Sequence, residues 1–245
     1  MKKRIVLFVL LLVLLAVSIA YAHEEEQNFG MERPNYPISQ IQAVGYGAIA
    51  FVILCFLIIL FNNKMNEMAK KLVYSLLLVV VALVTVYLAI TTIHTNMNSA
   101  TKGPVHWHAD YEIWICDNKL SLIEPEGMSN RQGTGLLHAH NDNRIHVEGV
   151  LMQQNQASLA AFFHAVGGYL SDDEIQVPAD DGLTAKHNGD FCNGRPAKLY
   201  VFVNGNLIGN PANHAIAPFE KVPPGDKIKF IFTEKPIESI NPNIG

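Results

Sequence analysis

The chain has 245 residues and a formal net charge of −4, and nearly all of its long apolar runs lie before His94. Residues 101–245 carry 11 Lys and Arg against 17 Asp and Glu, an acidic balance that disfavours nucleic acid as a partner. Residues 102–245 have ordinary globular composition, and a stretch of this size can bury a substantial core. We therefore predict one domain there, with a membrane segment before it.

Residues 1–22 have the pattern of a secretory signal peptide. Basic residues precede an apolar stretch, and Ala20 and Ala22 stand at the two positions that signal peptidase reads. Cleavage would leave His23 at the new N-terminus, whereas an uncleaved segment would remain as a membrane anchor. The acidic, turn-rich residues 23–40 that follow are predicted to form an external arm.

Residues 41–94 are predicted to form two transmembrane helices. The spans cover roughly 41–61 and 72–93, each near the ~20 apolar residues that a helix needs to cross a bilayer. The loop between them contains three bases and one acid: Lys64, Lys70, Lys71 and Glu67. The positive-inside rule places this loop in the cytoplasm, so the domain after the second span is predicted to lie outside, in a multi-pass membrane protein.

Cysteine usage fits a domain outside the cytoplasm. Cys116 and Cys192 are the two cysteines of residues 102–245, and in an oxidising compartment they can pair and close a long loop. Either sulfur could instead serve as a thiolate ligand. Cys55 lies inside the first predicted span and is expected to be inert.

The most informative feature is a set of histidines in three short segments. A strand over residues 105–116 would place Trp107, Ala109, Tyr111, Ile113 and Ile115 on the core side. Its other side would then present His106, His108, Asp110 and Glu112. The same alternation sets His138 and His140 opposite Leu137 and Ala139, and His146 and Glu148 opposite Ile145 and Val147. Every segment therefore has one apolar face and one face of potential ligands.

This pattern predicts a transition-metal site, because histidines at i and i+2 of a strand lie roughly 6–7 Å apart and can share an ion with a neighbouring strand. The candidate ligands are His106, His108, His138, His140, His146, Glu148 and Glu112. Zinc or copper suits imidazole ligands best, with iron or manganese as alternatives. Asp142, Asp110 or Glu112 could instead orient an imidazole ring. The other histidines of this half, His164, His187 and His214, are expected to be packing or solvated residues.

The remaining elements predict an α+β, β-rich domain. Ser158 and the Gly167-Gly168 pair bracket a short helix, and an alternating strand from Lys198 runs into the turn signal Asn204-Gly205. By analogy with ubiquitin-like sheets, a β-grasp-like sheet with a short helix is the first expectation.

The motifs resemble an uncharacterised prokaryotic family of exported or membrane-tethered proteins. The resemblance covers about residues 103–233, and the motifs that carry it are His106-x-His108, His138-x-His140-Asn141-Asp142, Ile145-His146-Val147-Glu148, Phe162-Phe163 and Val203-Asn204-Gly205. The resemblance implies metal binding. A weaker likeness is to cupins, whose H-x-H-x₃-E motif is matched by His106, His108 and Glu112 and implies a barrel and an enzymatic activity. The second cupin motif is not evident.

Three function classes are therefore considered for the domain. It could bind or handle a metal ion outside the cytoplasm, act as a metalloenzyme with Glu112 or Glu148 as acid or base, or serve as a structural or interaction module toward a membrane or surface protein. A carrier needs an accessible site, an enzyme needs an open coordination position, and a structural site is closed by four protein ligands.

Overall fold

The computed structural model describes residues 34, 36–61, 63–123, 130–140, 142–180, 182–216 and 225–245. The predicted signal segment and most of the predicted external arm lie outside these residues. The described chain divides into two compact units, one ending at Met97 and the other starting at Asn98. The predicted order of two long apolar helices followed by a β-rich region is confirmed.

The first unit contains helices α1 (Gln40–Phe61) and α2 (Glu67–Asn98). Both are long and apolar enough to cross a membrane. Helix α1 begins at a reciprocal cap, because the Gln42 amide donates to Ser39 Oγ at 3.1 Å and the Ser39 amide donates to Gln42 Oε1 at 3.0 Å. Helix α2 starts after Asn66, whose Oδ1 accepts from the Ala69 amide at 2.8 Å.

The two helices pack against each other as a hairpin. A Cβ added to Gly47 of α1 would lie 2.4 Å from Val84 Cγ2 of α2, so the absence of a side chain permits this close approach. Near the other end of the pair, Gln40 Nε2 donates to Thr91 Oγ1 at 2.9 Å. No side chain of α1 is buried within the unit, as expected for a helix whose apolar surface faces lipid.

The second unit is built on an eight-stranded mixed sheet. Its strands are β1 (Val105–Ile115), β2 (Asn118–Leu120), β3 (Gln132–Gly133), β4 (Leu137–Ala139), β5 (Arg144–Gly149), β11 (Lys198–Val203), β12 (Asn206–Leu207) and β13 (Lys227–Thr233). The order is β12-β11-β13-β1-β5-β4-β3, and β2 continues the β5 edge of β1. The pair β1 and β13 is parallel, and the other pairs are antiparallel.

Smaller elements complete this unit. They are a 3₁₀ turn (Gln154–Ala157), helix α3 (Leu159–Ala165), a three-stranded sheet of β6 (Tyr169–Leu170), β7 (Glu174–Ala179) and β8 (Gly182–His187), a two-stranded sheet of β9 (Phe191–Cys192) and β10 (Arg195–Pro196), and a final 3₁₀ turn (Ile237–Ser239). Helix α3 begins where predicted, since Ser158 Oγ accepts from the Ala161 amide at 3.2 Å.

The core lies on the face of the sheet that α3 covers. Along β1 the apolar residues Ala109, Tyr111 and Ile113 are buried, as the alternation predicts. The ring of Phe162 on α3 lies 5.8 Å from that of Tyr111, and Phe163 contacts Phe230 of β13 at 5.1 Å between centroids. His106 and His108 of β1 consequently project from the opposite face.

A disulfide joins Cys116, directly after β1, to Cys192 of β9. The Cα atoms are 5.1 Å apart and the cysteines are separated by 76 positions in sequence. A thiolate-ligand role for either sulfur is incompatible with this bond. Cys55 of α1 is a free cysteine.

Replacing the disulfide by two serines (Cys116→Ser with Cys192→Ser) should lower the free energy of unfolding by about 4 kcal/mol, because the unfolded chain regains the entropy of a long closed loop. Urea titration of the full chain in detergent, followed by tryptophan fluorescence, measures the change, since Trp107 and Trp114 both lie on β1. Cys55→Ser is the matched control and should change stability by less than ~0.5 kcal/mol. A loss below ~1 kcal/mol in the double variant would contradict the expectation.

Candidate metal centre

Three adjacent strands bring the histidines together. In the β1–β5 pairing His108 lies opposite His146 and His106 lies opposite Glu148. In the β4–β5 pairing His138 lies opposite the same His146. His146 therefore stands at the centre of a row that crosses β1, β5 and β4.

The five imidazole rings form one continuous cluster. The centroid distances are 4.7 Å for His106–His108, 4.6 Å for His108–His146, 5.3 Å for His138–His146, 4.7 Å for His140–His146 and 4.8 Å for His138–His140. The rings of His138 and His146 are stacked with an interplanar angle of 8°, and the other pairs meet edge to face. All of the predicted histidine ligands thus lie within one cluster.

Within the cluster, two groups of three histidines can hold a metal ion. We call His106, His108 and His146 the outer group, and His138, His140 and His146 the inner group. In each group the three candidate ligand atoms lie within 4.8 Å of one another. Two nitrogens that share a tetrahedral zinc ion lie roughly 3.3 Å apart, from Zn–N bonds of ~2.0–2.1 Å, so the rings would need to draw closer to hold one ion.

The groups differ in exposure at one residue each, since His108, His140 and His146 are all of intermediate exposure. The His106 side chain is 64% exposed, whereas that of His138 is 2% exposed. His146, which belongs to both groups, is 11% exposed. The cluster therefore extends from the surface of the domain into its interior.

Two carboxylates contact the cluster directly. Glu148 Oε1 lies 3.1 Å from His106 Nε2 and 4.0 Å from His138 Nε2, so it stands between a ring of the outer group and one of the inner group. Asp142 Oδ2 lies 3.0 Å from His146 Nε2. A carboxylate that accepts from one ring nitrogen fixes the tautomer and leaves the other nitrogen for a metal.

The structure places Glu112 elsewhere. Its buried carboxylate contacts Lys119 Nζ at 2.7 Å and Lys229 Nζ at 3.7 Å, and it accepts from Trp114 Nε1 at 3.0 Å. Burial acts to raise the pKa of Glu112, but the hydrogen bonds from Lys119 and Trp114 outweigh it, and the pKa lies below its usual value. Glu112 shares the histidine face of β1 but belongs to a separate ion-pair group.

Asp110 is also directed away from the histidines. Its Oδ1 accepts from Arg144 Nε at 2.6 Å across the β1–β5 pairing. Of the three carboxylates that were predicted to orient rings, Asp142 is therefore the one that contacts a histidine of the cluster.

Burial and repulsion by neighbouring rings lower the pKa of two imidazoles of the cluster, His138 and His108. Burial lowers the pKa of His138 to about 4, with His140 and His146 adding to the effect and Glu148 opposing it. Burial also lowers the pKa of His108, assisted by His146 and His106. Metal ligands must be deprotonated, so these rings are ready to bind at neutral pH.

One buried nitrogen in the inner group has no hydrogen-bond partner among the described residues, Nδ1 of His138. An unsatisfied buried polar atom costs about 1–3 kcal/mol, and coordination of an ion by this ring would offset that cost. The neighbouring His140 is different, because its Nδ1 contacts the Asn130 carbonyl oxygen. That contact uses backbone, so no side-chain pattern in the sequence could have predicted it.

Gly225, shortly before β13, lies against the backbone of His108 in the outer group. Gly225 has φ +112°, and a Cβ on it would lie 1.7 Å from the carbonyl oxygen of His108. Glycine is therefore required at this position both by its backbone conformation and by the space available. The position of His108 depends on this close contact.

The remaining histidines of the domain lie in neither group. His187 pairs with Asp173 at 2.9 Å, and His214 lies 3.3 Å from Asp226. His164 is in the last turn of α3.

A scan against protein-family models found no match for this chain, and searches of curated proteins and of solved structures found none either.

The free energy of unfolding of the metal-free protein should decrease as the pH is lowered, because His138 becomes protonated. Its pKa is lowered from 6.5 to about 4 in the folded state, so the unfolded state binds more protons between these values. The corresponding stability is present above pH 6.5 and is lost as pH falls through 4, by up to about 3 kcal/mol. Urea titrations between pH 7 and pH 4 in the presence of a chelator measure this loss.

The variant His138→Gln removes the titrating ring and should lose less stability over this pH range. His187→Gln is the matched control, because hydrogen bonding to the Asn188 carbonyl and the charge of Asp173 raise the pKa of His187, the opposite direction. The control should not reduce the loss. Equal pH dependence of the wild type and His138→Gln would refute the assignment.

Proposed function

We propose that this protein is a membrane-anchored, extracytoplasmic transition-metal-binding protein that handles or senses zinc or copper. The observation that supports this most directly is the convergence of five imidazoles on one cluster, four from β1, β4 and β5 and one from His140 directly after β4. The proposed ligands are His106, His108, His138, His140 and His146, with Glu148 available as a carboxylate ligand.

The ligand chemistry favours zinc or copper. Imidazole nitrogen binds both ions well, and each group supplies three of them. Iron would use two histidines and a carboxylate, and neither group of three histidines contains a carboxylate. Manganese prefers oxygen ligands, and the cluster is richer in nitrogen.

Exposure favours metal handling over a purely structural role. A structural zinc site has four protein ligands and is closed to solvent. The outer group has three histidines, and one of them, His106, is largely exposed. An ion there would keep an open position through which it can be loaded or removed. The disulfide and a continuous apolar core also stabilise the fold without metal.

The cupin-like metalloenzyme is the weaker alternative. Its signature requires Glu112 to join His106 and His108 at one ion, and Glu112 is instead paired with Lys119 and Lys229. Cupins are jelly rolls of antiparallel strands, whereas β1 and β13 at the centre of this sheet are parallel.

We further propose that the domain has a β-grasp-like fold. In ubiquitin-like sheets the first and last strands form a parallel central pair, and each of them has an antiparallel neighbour on its other side. Here the parallel pair is β1 and β13, the flanking strands are β5 and β11, and α3 follows β5 in sequence. The small β6–β8 and β9–β10 sheets would be insertions between the helix and β11.

Two observations support an extracytoplasmic position for the domain. The loop between α1 and α2 and the first turn of α2 contain Lys64 and Lys70 against Glu67, which favours a cytoplasmic loop. The bond between Cys116 and Cys192 is of a kind that forms and persists in oxidising compartments.

The third candidate function is an interaction module, in which the histidines would only stabilise the fold.

Metal binding is tested with the full chain purified in detergent. Wild-type protein should retain stoichiometric zinc or copper after desalting, as measured by elemental analysis. His146→Ala should weaken binding by more than the ~10–100-fold that loss of an outer-shell partner costs, because it removes a ligand from both groups. Asp142→Asn should weaken it by ~10–100-fold.

The matched control for the metal test is His187→Ala, which removes a histidine that also pairs with an aspartate but lies in neither group. It should bind metal as the wild type does. If the wild type retained no metal, or if His146→Ala retained as much as His187→Ala, the proposed function would be wrong.

The proposed orientation predicts which cysteines a membrane-impermeant maleimide can label on intact cells. In a Cys55→Ser background, a cysteine at exposed Asn206 should react directly. A cysteine at exposed Lys64 should react only after the membrane is permeabilised. The reverse labelling pattern would place the domain in the cytoplasm.

A further inference from the structure

The inner and outer groups share one ligand, His146, and this sharing limits how many ions the cluster can hold. An imidazole has two ring nitrogens. Nε2 of His146 contacts Asp142 at 3.0 Å, so Nδ1 is the nitrogen left for a metal while that contact lasts. Two ions held at once through His146 would need both nitrogens, an imidazolate ring and loss of the Asp142 contact.

Electrostatics adds a second restriction. The centroids of His108 and His138 lie 4.6 Å and 5.3 Å from that of His146 on neighbouring strands. Two divalent ions on the two sides of one ring would therefore be close, and they would repel each other strongly in this partly buried place. Among the described residues, the carboxylates that contact the cluster and could offset this repulsion are Glu148 and Asp142.

The arrangement does offer a path between the groups. Glu148 Oε1 lies 3.1 Å from Nε2 of exposed His106 and 4.0 Å from Nε2 of buried His138. Glu148 therefore contacts one ring of each group, and an ion that moved from His106 to His138 would pass this carboxylate.

We propose that the two groups are alternative seats for a single ion, an exposed entry seat and a buried holding seat, with His146 as the common ligand and Glu148 as the bridge. This inference rests on the proposed function. It specifies a metal-transfer device with one ion per chain, in which the outer group exchanges ions with solvent or a donor and the inner group retains them.

The test uses Cu(II) with the full chain in detergent, measuring bound copper per chain and the electron paramagnetic resonance spectrum. A chain with all five histidines replaced by alanine serves as the background. The wild type should bind one ion above this background and show two overlapping uncoupled spectra. His106→Ala with His108→Ala should retain one ion with one of these spectra, and His138→Ala with His140→Ala should retain one ion with the other.

The rate of copper release to an excess of chelator separates the two seats. The variant that keeps only the inner seat should release copper ~10-fold or more slowly than the variant that keeps only the outer seat, because dissociation carries most affinity differences. Glu148→Gln should slow loading of the inner seat without changing the number of ions bound. Equal release rates from the two double variants would overturn the assignment of entry and holding seats.

The outcomes distinguish this inference from the proposed function. Two ions per chain with a magnetically coupled spectrum would overturn alternation while leaving metal binding intact. Loss of all copper from the His106→Ala, His108→Ala variant would show one five-histidine site. His106 is largely exposed and His108 is less buried than His138, so this variant tests the inference even if replacement of His138 prevents folding. Wild-type binding no higher than the background would refute the proposed function itself.

Discussion

The pairing of β5 with both β1 and β4 is the constraint on which the candidate site depends. Because side chains alternate along a strand, a slip of one residue in either pairing would move a whole set of side chains to the other face. The register is held by the burial of Ile145 and Val147 on the core side, so that His146 and Glu148 must project from the other. The same hydrophobic contacts that fold the domain therefore determine where the imidazoles meet.

In this arrangement, burial has two opposing effects on the imidazole of His138. His138 is almost fully buried on β4, where an unpaired ring nitrogen is costly, yet the surrounding rings and the lack of solvent keep it in the neutral form that a metal requires. A purely apolar residue there would pack at lower cost. A buried imidazole that lies next to another imidazole, with the nearest carboxylate contact at 4.0 Å, is consistent with the proposed binding of an ion.

Much of the fold and of the candidate site could be predicted from the sequence, and the parts that could not be predicted have physical reasons. Alternation around Ala109 and Tyr111 gave the face of each histidine correctly, because burial of apolar groups is a local pattern. Which histidines share an ion depends on strand order and register between segments some 30 positions apart, and no local pattern records that. Glu112 illustrates the limit, since it lies on the same face as His108 but Lys119 and Lys229, from two other strands, neutralise it. Helix α2 extends beyond the predicted span at both ends because polar residues can continue a helix outside the apolar region.

Through the close contact of Gly225 with His108, the histidine cluster depends on a part of the chain that supplies none of its imidazole nitrogens. The residue touches the backbone of β1 at His108, where any side chain would have to push the strand aside. A methyl group there would displace the imidazole of His108 relative to its neighbour on β5 without removing any histidine. The geometry of the cluster thus depends on a glycine that a search restricted to histidines and acids would overlook.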